Sequence, residues 1–163
     1  MGSLGISVLA AALICQTGAV VDSEEGPDTQ GVRAVLDKYA TACERKDFAS
    51  LSAVFSRDAD ITMISTYIPQ RYVGFKSVTA QYKALCSSTD TLKVRHDNVA
   101  IKLLAAGNAA CLACDQDAIG TISGEPFRLQ GVRMTWVLEK QEGQWRVVHA
   151  HWSLPAEFEP EGK

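Results

Sequence analysis

The segment from Thr135 to Pro155, TWVLEKQEGQWRVVHAHWSLP, limits the possible folds more than any other stretch. Trp136, Val137 and Leu138 lead into the polar Lys140-Gln141-Glu142-Gly143, and Trp145 to Trp152 run back. A short glycine-containing loop between two runs of β-branched and aromatic residues predicts a β-hairpin. All three tryptophans of the chain lie in it. Each can bury roughly 150–250 Å², so the hairpin is expected to anchor the core. It also carries two close histidines, His149 and His151.

Three further strand-like runs precede it, 92–104, 109–122 and 127–138, the last of them leading into the hairpin, whose return strand spans 145–152. Gly107-Asn108 and Ser123-Gly124-Glu125-Pro126 supply the turns. The first half reads differently. Val32, Val35, Leu36, Tyr39 and Cys43 recur at helical spacing, so a helix is predicted over 29–46 with Asp28 as its cap. Asp47 is expected to cap a second helix over 48–55. A short strand follows at 60–65, a proline-containing loop at 67–72, and a third helix from Gly74 to about Cys86. Three helices with one early strand, then a four-strand meander, imply an α+β fold with the helices on one face of a bent antiparallel sheet.

With 163 residues the chain has room for one domain and a proper core. Its net charge of −3 and the absence of a Lys/Arg block argue against nucleic-acid binding. Residues 4–21 carry no charge and have the make-up of a secretory signal. The expected organisation is a signal peptide over 1–19, a linker over 20–28, a domain over 29–155 and a tail over 156–163. The chain is therefore expected to be secreted or periplasmic. An uncleaved anchor is the alternative, and no other membrane contact is expected. Cys111 and Cys114 look like a CxxC motif, but they lie within a predicted strand. Residues three apart on a strand point to opposite faces, so the pair should neither close on itself nor chelate zinc. Cys43, Cys86, Cys111 and Cys114 read as small core residues. No cofactor and no metal is expected.

The order of elements, together with the closing EGQWRVVHAHWSLP, resembles the nuclear transport factor 2-like superfamily. That group includes SnoaL-like proteins, ketosteroid isomerase and the association domain of calcium/calmodulin-dependent protein kinase II. The end of the chain is most similar to the association domain and its bacterial relatives, through Trp136, Glu142-Gly143, Trp145, His149, His151, Ser153 and Pro155. ACLACDQDAIG also resembles one of that domain's meander strands. The resemblance implies a cone-shaped α+β barrel, a cystatin-like roll, whose sheet and first helix enclose a pocket.

By the same resemblance, Tyr39 falls where the isomerase has its oxyanion-hole tyrosine. Met63 falls where that enzyme has its general-base aspartate, and Met134 where it has a protonated aspartic acid. A thioether can neither move the proton nor hydrogen-bond the oxyanion, so isomerisation by that mechanism is not expected. The association domain lines its pocket with arginines; Gln116 and Trp152 occupy matching places here, with Met134 near the third. The pocket implied by both comparisons is Tyr39, Met63, Cys114, Gln116, Met134, Trp136, Val148 and Trp152, mostly apolar with a few polar handles.

His149 and His151 are two apart on a strand and share one face, opposite Trp152. Asp115, Asp117 and Arg133 are expected on that outer face too, forming a polar network at an oligomer interface. A two-histidine metal site is the sharper alternative reading. Asp58 and Asp60 flank a turn before the first strand, and turn chemistry explains both. The expected function is a small hydrophobic ligand-binding module that homodimerises through its sheet face. The competing expectation is a cyclase, isomerase or hydratase acting on a small hydrophobic carbonyl compound. There Tyr39 would donate, and His151 or Asp60 would move the proton.

Overall fold

A computed structural model describes residues 25–66 and 71–155. The expected signal peptide over 1–19, residues 67–70 of the proline-containing loop and the 156–163 tail lie outside the described residues. No helix among the described residues is long and apolar enough to cross a membrane.

Helix α1 spans Pro27–Arg45. It starts ahead of the expected Asp28 cap: Gly26 takes the cap position and Pro27 opens the helix. Proline suits that place because it lacks the N–H that would go unpaired there and its φ is already helical. Asp28 sits in the first turn, where a carboxylate meets the positive end of the helix dipole. The predicted stripe is the buried one, with Val32, Leu36, Tyr39 and Cys43 turned inward. Helix α2, Phe48–Ser52, is capped as expected by Asp47, whose side chain accepts the Ser50 N–H at 3.0 Å. It ends before Phe55 because Phe55 bridges to Val147 and the Ser56 N–H donates to the Val147 carbonyl. The backbone is recruited by the sheet instead.

Strands β1 (Thr62–Ile64) and β2 (Arg71–Val73) precede helix α3 (Phe75–Ser88). Strands β3 (Thr89–Leu104), β4 (Ala109–Ile122), β5 (Glu125–Gln141) and β6 (Gln144–Ser153) form the meander. The six-stranded sheet runs β2-β1-β6-β5-β4-β3. It is mixed, which corrects the antiparallel expectation: β1 lies parallel to β6, with Met63 beside Ala150. β2 begins within the predicted 67–72 loop, because three residues are too few to show an alternation. The sheet is curved and unclosed, with β2 and β3 as its free edges.

Bulges bend the long strands. In β3 the register shifts between Asp97 and Ala100, and in β4 against β5 between Gln116 and Ala118. At the second site Gly131 has φ +64, a left-handed conformation that glycine adopts without strain. Opposite Val137 and Leu138, the register of β6 skips Val148. An extra residue bends its strand and swaps which side chains point inward. Before this bulge Trp145 and Val147 are buried; after it Ala150 and Trp152 are. The three helices pack on the concave side. There Trp136, Leu112 and Leu138 are enclosed in one core with Val32 and Leu36 of α1. Burying a side chain such as Leu36 contributes about 1.5–3 kcal/mol.

Candidate functional site

A cavity of about 520 Å³ opens between α1, α3 and the concave face of the sheet. Small-molecule sites span roughly 300–1,000 Å³. Helix α1 contributes Tyr39 and Cys43, and α3 contributes Gln81, Tyr82 and Leu85. Met63, Ser65 and Thr66 come from β1 and the residues after it; Leu92 and Val94 come from β3. Strand β4 supplies Gln116, Ala118 and Ile122, β5 supplies Phe127, Leu129 and Val132, and β6 supplies Trp152.

Four residues of the expected pocket therefore line this cavity: Tyr39, Met63, Gln116 and Trp152. Cys114, Met134 and Trp136 are buried on the same concave face but are not part of the lining. Trp136 instead supports it, its ring edge-to-face with Tyr39 at 5.1 Å and with Trp152 at 6.2 Å. Its Nε1 is the single fully buried side-chain polar atom without a partner among the described residues. Val148 is a correction: it is the bulged residue of β6, half-buried and away from the cavity, while Val147 takes the inward place. Strict alternation back from Trp152 put it inside, and the bulge breaks that alternation.

The polar lining is neutral. Burial pushes the Tyr39 hydroxyl well above its ordinary pKa, and the neighbouring Cys43 thiol and Tyr82 hydroxyl add to the rise. Burial does the same to Tyr82, so both stay protonated and able to donate. The Cys43 thiol is pushed up to about 12, chiefly by burial. The Cys114 thiol is likewise raised to about 12. Neither is a thiolate nucleophile at neutral pH. Among the described lining residues there is no Asp, Glu, Lys, Arg or His.

One residue beside the cavity was not singled out from the sequence. His96, on β3, places Nε2 3.2 Å from Gln116 Oε1. The same oxygen accepts the Trp152 indole N–H at 3.3 Å. His96 also lies 6.1 Å from the Tyr39 ring. Burial lowers its pKa, opposed by the Gln116 contact and by the Asp37 and Asp97 carboxylates. The signal was the alternation of Leu92, Val94 and His96, hidden within the otherwise polar KVRHDN.

The catalytic candidates are not brought together. Tyr39 lines the cavity, Asp60 is exposed in the turn before β1, and His151 lies on the convex face beside Ile64 and Thr135. Asp58 accepts from the Ser56 hydroxyl and the Gln141 amide, which lower its pKa. On the convex face His149 Nδ1 meets the Thr62 hydroxyl at 2.6 Å. Asp115 accepts the Asn98 amide at 2.7 Å. Asp117 accepts the Gly131 N–H at 3.0 Å and Arg95 at 3.1 Å, and these contacts hold its pKa low. Arg133 donates to the Leu154 carbonyl at 3.2 Å. The acids thus brace bulges and strand neighbours. Among the described residues no three of His, Cys, Asp and Glu gather as a metal would require. Cys111 and Cys114 do point to opposite faces, and the four described cysteines are free.

Three helices on a curved, unclosed sheet around an apolar cavity define the nuclear transport factor 2-like, or cystatin-like, class of fold. Residues 32–157 match the SnoaL-like domain family, and the chain belongs to it. Several solved structures share the fold. A nuclear transport factor 2-like superfamily protein from Salmonella enterica is 20% identical with a TM-score of 0.71, over 82% of this chain and 96% of that one. A candidate calcium/calmodulin-dependent protein kinase II association domain from Xanthomonas campestris is 18% identical with a TM-score of 0.70, over 82% and 91%. A candidate dehydratase from Streptomyces avermitilis is 17% identical with a TM-score of 0.68, over 77% and 95%. A comparison with curated proteins gives no match.

Proposed function

We propose that the chain is a binding module for a small, uncharged, mainly apolar molecule held in the cavity beneath α1 and α3. The observation that carries this reading is the lining: apolar side chains with neutral donors, and no charged group among the described residues. Transferring an unpaired charge into such a place is costly, whereas an apolar body gains by leaving water. The neutral dye N-phenyl-1-naphthylamine tests it. Saturable fluorescence at one dye per chain is expected, abolished when Ala118→Phe fills the cavity. A dye response that Ala118→Phe leaves unchanged would place binding elsewhere and refute the reading.

The module is further proposed to be exported and to pair with a second copy of itself. The charge-free run over 4–21 supports export. N-terminal sequencing of the chain recovered outside the cytoplasm would then begin near Val20. For pairing, the convex face presents Ala113, Thr135 and Val137, small or apolar residues without charge, flanked by His149, His151, Asp115, Asp117 and Arg133. Light scattering should give a dimer that Thr135→Glu converts to a monomer. A monomeric parent would refute the pairing.

The enzymatic reading, a cyclase, isomerase or hydratase, draws support from the dehydratase among the structures of like fold. It needs a group that moves a proton at the cavity, and His96 is the imidazole joined to the lining through Gln116. Exchange of ketone α-protons into heavy water, catalysed by the chain and lost in His96→Leu, would favour it over simple binding.

A further inference from the structure

We infer that Gln116 is the specificity-determining residue of the cavity, reading a carbonyl oxygen on the bound molecule through its amide N–H groups, and that His96 is the positioning residue that holds it so. The inference rests on the binding reading above and adds the chemical class of the ligand.

The side-chain oxygen and nitrogen of a glutamine are assigned from their partners. Here the partner settles it. An indole N–H can only donate, so the Gln116 atom 3.3 Å from Trp152 Nε1 is the oxygen. That oxygen is also 3.2 Å from His96 Nε2. Since it can only accept, His96 must carry its proton on Nε2. Both lone pairs of the oxygen are then engaged. Turning the amide over would set its NH₂ against the Trp152 N–H and lose that bond. Trp152 and His96 thus lock the amide in one orientation.

Its nitrogen is left over. Among the described residues it makes no hydrogen bond. Nor is it sealed in the core, where Trp136 Nε1 is the one enclosed polar atom lacking a partner. Gln116 lines the cavity, as do Tyr39 and Tyr82, so its two N–H donors open there. A carboxylate would satisfy these N–H groups but would find no cation in the lining. An uncharged carbonyl oxygen on an apolar body satisfies them at no such cost: a ketone, ester or lactone.

Burial keeps His96 neutral at physiological pH, but the lock does not depend on that. The imidazolium also has a proton on Nε2. Hence the preference for a carbonyl should hold on both sides of the histidine titration.

The test compares 2-acetylnaphthalene with 2-isopropenylnaphthalene, which replaces C=O by C=CH₂ at nearly the same shape. Both are titrated calorimetrically into the full chain and into Gln116→Leu, so the hydration of the free probes cancels in the ratio of ratios. One hydrogen bond of ordinary strength predicts that the ketone-to-alkene affinity ratio falls on the order of fivefold in Gln116→Leu, while alkene binding persists. His96→Leu should lower the ratio too, and His96→Gln, which retains a donor, should restore it. In the unmodified chain the infrared carbonyl stretch of bound ketone should lie below its value in hexane. An unshifted stretch, or a ratio unchanged in Gln116→Leu, overturns the inference and leaves the binding reading standing. Failure of both probes to bind removes both.

Discussion

The Thr62 hydroxyl and the His149 Nδ1 stand 2.6 Å apart and tie β1 to β6 on the convex face of the sheet. This contact lies across the parallel pairing of the two strands. It also accounts for one of the two histidines of the terminal motif without invoking chemistry. His149 is pushed below the ordinary histidine pKa, first by partial burial and then by His151 nearby.

That shift gives the pH dependence its sign. The unfolded chain binds a proton at His149 more readily than the folded chain does. The stability associated with the neutral ring is complete above the unfolded pKa of about 6.5 and is lost as pH falls toward the lower folded value. His96 acts in the same direction, since burial depresses it despite Asp37 and Asp97. Urea midpoints should therefore fall between pH 7.5 and 5.5. His149→Asn should make that fall shallower, and an unchanged slope would contradict the assignment.

Trp152 is 7% exposed and meets the rings of both Trp136 and Tyr39. Trp152→Ala should destabilise the fold by about 3–5 kcal/mol, measured by chemical denaturation. A loss under about 1 kcal/mol would be far below that range and would mean the ring does not face the core.

Gly31 allows the hairpin to close on α1. A Cβ there would come 2.8 Å from Trp145 Cδ1 and 2.9 Å from its Nε1. The indole is itself 7% exposed and has Lys140 over its ring at 5.4 Å. Lys140 is also paired with Asp28, on the first turn of α1. The ring has little room to retreat, so Gly31→Ala should cost about 1–3 kcal/mol through overpacking, in spite of alanine's better helix propensity. A stabilised variant would contradict the close approach.

Thiol labelling should be ordered by face. Cys43 and Cys114 are buried with pKa values of about 12, whereas Cys111 lies half-buried on the convex side. Brief iodoacetamide treatment of the native chain at pH 8, read by peptide mass spectrometry, should modify Cys111 and spare Cys43 and Cys114. Equal labelling of Cys111 and Cys114 would mean β4 does not alternate as described.

Much of this fold is legible in the sequence where an element obeys a simple period. Ala110, Leu112, Cys114, Gln116 and Ala118 alternate inward along β4 with no interruption, and the Val32-Leu36-Tyr39-Cys43 stripe marks α1 directly. What was lost follows from departures from that period. Val148 was misplaced because a bulge inserts one residue between Val147 and His149. β2 is too short to carry a pattern, and the direction of β1 depends on Phe55 and Ser56 meeting Val147 far along the chain. The α3 residues of the site, Gln81 and Tyr82, lie on a helix that the sequence predicts. That a cavity lies against them depends on how the sheet curves, which no local pattern records. His96 carries no local signal of its place because the residues it meets, Gln116 and Tyr39, come from another strand and from α1.

The central claim is that the cavity holds a small uncharged molecule. Native mass spectrometry of the chain, purified gently and sprayed under conditions that keep noncovalent ligands, tests it most directly. The account predicts a retained neutral apolar molecule bearing a carbonyl group, one per chain, absent from Ala118→Phe prepared in the same way. A retained molecule that is charged, or one that survives equally in Ala118→Phe, would contradict it.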